Sequence, residues 1–175
     1  MTLRHLVPLL ALSLAPSLAM TQSTETGFLD RSIVHDGSAH PYQVYVPRSY
    51  DPARAWPVIL FLHGSGERGG DGLKQTQVGL GSEIRWTPDR WPAIVVFPQA
   101  GKGQTWQEAP GKVAMASLEA TIGEFHVDES RIYLTGLSLG GRGVWYLACS
   151  HPKRFAALVP VCASVAGVAR HPSFL

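Results

Sequence analysis

The fold of this chain is decided by the stretch Ile132-Tyr133-Leu134-Thr135-Gly136-Leu137-Ser138-Leu139-Gly140-Gly141. An apolar run leads into a Gly-x-Ser-x-Gly pentapeptide, and a pattern typical of a helix follows over residues 142–150. This order predicts a strand, a sharp turn and a helix, with the hydroxyl group of Ser138 raised above the sheet edge. The positive end of the helix dipole lies behind that hydroxyl and favours negative charge. We therefore predict that Ser138 is a nucleophile.

Gly136 and Gly140 are expected to make this turn possible. A side chain at either position would collide with the neighbouring strand and helix, and the turn holds the serine backbone in a strained conformation. Gly-x-Ser-x-Gly also occurs by chance in ordinary loops. The strand before Ser138 and the helix after it favour the functional interpretation.

A glycine-rich loop, residues 63–70, follows a continuous apolar run at residues 57–62 that is typical of a central strand. A nucleophilic serine needs backbone N–H groups that bind the oxyanion of its intermediate. We assign one to Leu139 and the other to Ser65 or Gly66, without choosing between those two. A phosphate-binding loop is an alternative, but the Gly-Lys-Ser/Thr ending is missing; an ordinary turn is another.

The other elements complete an α/β pattern with a mostly parallel sheet. Strand-like residues 31–35 and 42–46 flank Asp36-Gly37, which predicts an antiparallel hairpin. Residues 93–97 and 155–161 are typical of buried strands, and residues 112–125 are close to helical spacing. The remaining segments are interpreted as a short helix (79–86), a surface loop carrying Trp106 (101–111) and a polar turn (127–130).

Four stretches carry a resemblance to a known family. They are Phe61-Leu62-His63-Gly64-Ser65-Gly66-Glu67-Arg68-Gly69, Phe97-Pro98-Gln99, residues 131–141 and residues 151–157. Together they resemble α/β-hydrolases, in particular secreted "predicted peptidase" and polyhydroxybutyrate-depolymerase-like esterases related to the prolyl oligopeptidase group. The resemblance covers about residues 32–162. It implies an α/β-hydrolase fold, no cofactor, and hydrolysis of small-molecule or polymer esters by a Ser-Asp-His triad in that chain order.

The chain departs from this family after its last predicted strand. Residues 163–175 contain no Asp or Glu and one histidine, His171, whereas the family places its acid and histidine on loops beyond this point. His126 and His151 are expected at the opposite end of the sheet, and His63 is expected to support the oxyanion loop. We therefore expect residues 20–175 to be a partial domain that lacks the triad Asp and His and the last strands and helices. A serine peptidase of the prolyl oligopeptidase type and an inactive remnant or binding module remain alternatives.

Several side chains near the site are candidates for contact with substrate. Trp106 and Trp86 are aromatic and are expected either to line an acyl or aryl pocket or to anchor their loops in the core. Glu67 and Arg68 flank the oxyanion loop, where they either hold the loop by hydrogen bonds or line the substrate site. No histidine spacing typical of a metal site is present.

Composition and the N-terminus indicate where the protein works. The net charge of +2 is small and the basic residues are scattered, which argues against binding to nucleic acid. Arg4 and His5 precede an apolar run at residues 6–18, and Ser17-Leu18-Ala19 is a small-x-small cleavage site. Residues 1–19 are therefore interpreted as a signal peptide, too short for a comfortable membrane span, although Met20 as the true start is an alternative. A secreted or periplasmic protein is expected.

Two cysteines in an exported protein invite a disulfide. Cys149 is expected near the bottom of the sheet as a buried apolar residue, and Cys162 at the top. The strand between them spans roughly 20 Å, whereas a bridge needs Cα atoms about 4–7 Å apart. We therefore predict no disulfide between them. The sequence does not predict an oligomeric state.

Overall fold

The computed structural model describes residues 25–164, which form one six-stranded sheet in the order β1-β2-β4-β3-β5-β6. Helices cover the sheet, and short 3-10 turns occur in the loops. The strands are β1 (Gly27–His35), β2 (Ser38–Val46), β3 (Trp56–Leu62), β4 (Ile94–Pro98), β5 (Val127–Leu137) and β6 (Ala157–Val161). The helices are α1 (Leu80–Trp86), α2 (Ala109–Glu124) and α3 (Leu139–Ser150).

The hairpin at the N-terminal end of the sheet is confirmed. β1 pairs antiparallel with β2 around Asp36 and Gly37, whose φ angles of 48° and 74° suit a tight two-residue hairpin turn. β2 is also antiparallel to β4, while β4, β3, β5 and β6 run parallel to one another. The fold is therefore the mostly parallel sheet with an antiparallel N-terminal hairpin that the patterns indicate.

Alternating side chains of the central strands build a core on each face of the sheet. Leu60 and Leu62 belong to a large cluster with α2 and α3, whereas Phe61 between them belongs to a smaller cluster with Ile84 of α1. Burial on both faces explains why β3 and β4 are continuously apolar. The C-terminal ends of the parallel strands thereby lie at the same end of the sheet. Loops 63–72 and 99–106 and the end of β5 meet there.

The segment expected as a polar turn before β5 is instead an irregularity within that strand. Val127 pairs with Trp56 and Ile132 pairs with Val58, so residues 128–131 of β5 lie opposite the single residue Pro57 of β3. The carboxylate of Asp128 accepts hydrogen bonds from the Ser130 backbone nitrogen at 3.0 Å and from Arg131 Nε at 2.6 Å. These local bonds satisfy the polar groups of the irregular segment, so the strand resumes its pairing after it.

β6 forms the edge of the described sheet, and its apolar side chains are exposed as expected. Among the strands of residues 25–164 it pairs only with β5, and Val159 is 56% exposed. An open apolar groove of about 470 Å³ runs beside it on the face that carries α1. Ile59, Phe61, Leu80, Tyr133, Val159 and Val161 are among the residues that line this groove.

Cys149 and Cys162 do not form a disulfide with each other, as predicted. Cys149 is partly exposed at the end of α3 and not fully buried as expected, and burial raises the pKa of its thiol. No helix within residues 25–164 is long and apolar enough to cross a membrane. The signal peptide predicted at residues 1–19 lies outside the described residues.

Candidate active site

Ser138 is the single residue between β5 and α3. Its φ angle is 54°, a conformation that non-glycine residues seldom adopt, and the residue is exposed. The Ser138 backbone nitrogen donates to the carbonyl oxygen of Val161 at 2.8 Å, and its own carbonyl oxygen accepts from Arg142 at 3.1 Å. The end of β6 and the first turn of α3 therefore hold the strained turn from both sides.

The glycines on either side of Ser138 allow α3 to pack directly onto the end of β3. A Cβ atom at Gly140 would overlap the carbonyl oxygen of Leu62, and one at Gly136 would lie 2.6 Å from the carbonyl carbon of Gly140. Contacts this short between backbone atoms and a Cβ do not occur in proteins. This close approach places Ser138 beside the loop that follows Leu62.

The start of that glycine-rich loop lies against the serine. A Cβ atom at Gly64 would be 3.9 Å from Ser138 Cβ and 3.5 Å from the carbonyl oxygen of Leu137. A 3-10 turn begins at Ser65, and no side chain caps its N-terminus. The first amides of a helix or turn have no acceptor within their own element. The amides of Leu139, Ser65 and Gly66 therefore remain available for an oxyanion beside Ser138.

His63 supports this loop through both nitrogens of its buried imidazole. Its Nε2 atom accepts a hydrogen bond from the Ala100 backbone nitrogen at 3.0 Å, so the neutral ring carries its proton on Nδ1. Nδ1 then donates to the carbonyl oxygen of Gly64 at 2.6 Å. Burial lowers the pKa of His63 below its ordinary value. Because its one lone pair is already used, His63 is not placed to accept a proton from Ser138.

Trp106 completes the support beneath His63. The side chain is 1% exposed, its Nε1 atom donates to the carbonyl oxygen of His63 at 2.9 Å, and the two rings meet edge to face at 4.8 Å. The expectation that Trp106 stands in a surface loop is therefore wrong, because its indole fills the core between β3 and α3. Trp106 instead anchors its loop in the core, which was the alternative expectation. Trp86, by contrast, is 81% exposed at the end of α1.

Gln99 holds the second half of the glycine-rich loop, a role that was not foreseen. Its Nε2 atom donates to the carbonyl oxygen of Glu67 and to Asp71 Oδ1, both at 3.0 Å, and its Oε1 atom accepts from Gly72 at 2.8 Å. Asp71 also accepts from the amides of Leu73 and Lys74, and these hydrogen bonds, with that from Gln99, lower its pKa to about 2. The sequence feature that could have indicated this role is the position of the glutamine directly after a buried strand.

Glu67 and Arg68 do not hold the loop, contrary to one of the two expectations. Both are half-buried, and within residues 25–164 neither side chain forms a hydrogen bond or an ion pair. The loop is held by Gln99, His63 and a bond from the Gly69 amide to the carbonyl oxygen of Ala100 at 3.0 Å. The two charged side chains are therefore available to other molecules.

His126 and His151 lie at the opposite end of the sheet from Ser138, whereas His40 lies beside Gly69, Gly70 and Gln99. His126 directly precedes β5 and contacts the carbonyl oxygen of Pro52 through Nδ1, and His151 ends α3. His171 lies outside the described residues. In the part of the chain that the structure describes, no side chain hydrogen-bonds the Ser138 hydroxyl and no three His, Cys, Asp or Glu residues form a metal cluster.

The chain is similar to known proteins in sequence and in fold. The chain is 32% identical over 164 residues to the "Probable feruloyl esterase C" of Aspergillus clavatus, covering 86% of the chain and 57% of that protein. A thermostable esterase of known crystal structure superposes with a TM-score of 0.71 at 32% identity, over 82% of the chain and 43% of that esterase. The dipeptidyl-peptidase 5 of Porphyromonas gingivalis is 28% identical, over 71% of the chain and 19% of its own length.

A six-stranded, mostly parallel sheet with a serine at a strained strand-to-helix turn is typical of α/β-hydrolases. The similarity to known esterases agrees with this class. The chain has an α/β-hydrolase fold and is similar in sequence to esterases. It spans about half the length of the esterases that it matches. No family model matches the chain.

Proposed function

We propose that this protein is a serine hydrolase that cleaves carboxylic esters through Ser138. The observation that supports the proposal is the position of Ser138, which is exposed in a strained turn with its Cβ atom 3.9 Å from the point where a Cβ atom at Gly64 would lie. The loop after Gly64 begins a 3-10 turn whose first amides have no acceptor within that turn. Similarity to esterases supports the choice of esters as substrates.

In this proposal Ser138 Oγ attacks the ester carbonyl carbon and forms a tetrahedral intermediate. The amide of Leu139 and that of Ser65 or Gly66 donate hydrogen bonds to its oxyanion, and the N-terminus of α3 adds favourable electrostatics. His63 and Gln99 keep the loop amides in place. The step also requires a base for the serine proton, and residues 25–164 do not supply one at Ser138.

Two further properties belong to the proposal. The relatives named as feruloyl esterase C support an ester of a small molecule or of a polymer as the substrate. The N-terminal pattern supports a secreted or periplasmic location after removal of residues 1–19.

A fluorophosphonate probe tests whether Ser138 is a reactive nucleophile. We expect the folded protein to be labelled at Ser138, and the Ser138→Ala variant to lose the label. Ser32→Ala, which changes an exposed serine on β1, is the matched control and should label normally. Absence of label on the folded protein would favour an inactive remnant or binding module over an enzyme.

A serine peptidase is the second candidate, supported by the similarity to a dipeptidyl-peptidase. The two candidates differ in the bond that is cleaved. Hydrolysis of 4-nitrophenyl acetate without release of 4-nitroaniline from dipeptide anilides would support the esterase. The reverse preference would support the peptidase.

A further inference from the structure

Glu67 is an acidic side chain beside the candidate nucleophile whose carboxylate makes no hydrogen bond or ion pair within residues 25–164. Its Oε2 atom lies 3.0 Å from the position that a Gly64 Cβ atom would take, and Ser138 Cβ lies 3.9 Å from that same position. The carboxylate oxygen and the serine Cβ atom therefore both border the space that a side chain at position 64 would fill.

The carboxylate of Glu67 also has no partner within the described part of the chain, which leaves it open to a ligand. The 3-10 turn that contains Glu67 has no side-chain cap, and the carboxylate has no hydrogen-bond or ion-pair partner anywhere between residues 25 and 164. A carboxylate is an acceptor with about four lone-pair sites, and its bonds from hydroxyl groups are stronger than those between neutral groups. A half-buried carboxylate next to a reacting serine is thus suited to bind a hydroxyl group of the substrate.

We propose that Glu67 is a specificity-determining residue that accepts a hydrogen bond from a hydroxyl group adjacent to the ester bond, as in esters of polyols and sugars. This inference rests on the proposed function of Ser138. Because Glu67 Oε2 and Ser138 Cβ border the same space and the reacting carbonyl must lie at Ser138, we expect the carboxylate to reach a hydroxyl group one or two carbons from the ester oxygen. A phenolic hydroxyl at the far end of an aromatic acyl group would be too distant. The negative charge also disfavours substrates with an anionic group next to the ester.

Binding to the Ser138→Ala protein separates recognition from turnover. The probes are 2-hydroxyethyl benzoate and propyl benzoate, which have the same number of heavy atoms and differ by a hydroxyl in place of a methyl group. Dissociation constants are measured by NMR titration of the isotope-labelled protein. We expect the hydroxyl ester to bind about tenfold more tightly, which is the effect of one hydrogen bond to a charged group.

Variants of Glu67 in the same background identify the group responsible. Glu67→Met keeps the length of the side chain, removes the acceptor and should abolish the preference, whereas Glu67→Gln should retain part of it. Glu25→Met is the matched control, because Glu25 is exposed before β1 at the other side of the sheet, and it should keep the full preference.

Equal affinities for the two esters, no binding of either ester, or a preference that survives Glu67→Met would each overturn the inference. Failure of the proposed function has a different signature. In that case the preference and its loss in Glu67→Met are observed, but the unmodified protein neither hydrolyses the hydroxyl ester nor reacts with fluorophosphonate at Ser138.

Discussion

The Nε2 atom of His63 accepts a hydrogen bond from the Ala100 backbone nitrogen at 3.0 Å, and this bond joins the end of β4 to the loop beside Ser138. The bond requires a neutral imidazole, because a protonated ring has no acceptor. His63 thus connects the protonation state of one buried ring to the geometry of the candidate oxyanion site.

The first prediction concerns pH. Burial lowers the pKa of folded His63 below its ordinary value of 6.5. Below pH 6.5 the unfolded chain therefore binds a proton at His63 more readily than the folded chain does. The free energy of unfolding should therefore fall as the pH drops below 6.5, and this contribution should level off below the folded pKa. Urea unfolding over a pH series measures the slope. His63→Asn, although less stable, should lose this part of the slope, and an unchanged slope would contradict the prediction.

Trp106 and Trp86 provide a matched pair of tryptophans. Trp106→Phe removes the Nε1 donor and leaves the buried carbonyl oxygen of His63 without its partner, which should cost about 1–3 kcal/mol of stability. Trp86→Phe changes a side chain that is 81% exposed and should shift stability by less than about 0.5 kcal/mol. Urea unfolding monitored by circular dichroism measures both. Equal effects would show that Trp106 does not support the loop.

Gly140 and Gly66 provide a matched pair of glycines. Gly140→Ala would force a Cβ atom onto the carbonyl oxygen of Leu62, and this backbone contact has little room to relax. We expect a loss of about 3 kcal/mol or more, seen as a lower unfolding midpoint or insoluble protein. Gly66→Ala meets no atom within 4 Å and should leave stability nearly unchanged. A stable Gly140→Ala protein would contradict the close packing of α3 on β3.

Gln99→Met tests how the second half of the loop is held. The variant loses the hydrogen bonds to Glu67, Asp71 and Gly72, so exchange of the Gly72 amide proton should become faster. The pKa of Asp71 should rise from about 2 but stay below its ordinary value of 3.8, because the amides of Leu73 and Lys74 still donate to it.

NMR titration of the Asp71 carboxyl carbon and hydrogen-exchange rates measure these effects. Gln104→Met is the control, since Gln104 is exposed and its side chain, within residues 25–164, accepts a hydrogen bond only from the Gly101 amide. Unchanged exchange at Gly72 in Gln99→Met would show that other contacts hold the loop.

The sequence by itself determined the features that depend on neighbouring residues. Asp36-Gly37 predicts the hairpin because few other pairs adopt positive φ angles in succession, and both angles are observed. The apolar run before Ser138 and the helical pattern after it predict a strand, a turn and a helix, which the chain forms. Such patterns reflect local backbone preference and the alternation of buried faces. Both properties depend on residues that are close together in the sequence.

Only the tertiary structure decided which distant groups meet. His63 is joined to Ala100 and Trp106 across 37 and 43 positions, and Gln99 is joined to Glu67 across 32. Whether Trp106 is exposed or buried, and whether Glu67 holds the loop or faces substrate, depends on these long-range bonds. Hydrogen bonds between loops form where packing brings the ends of parallel strands together, and no local pattern specifies which donor then satisfies which acceptor.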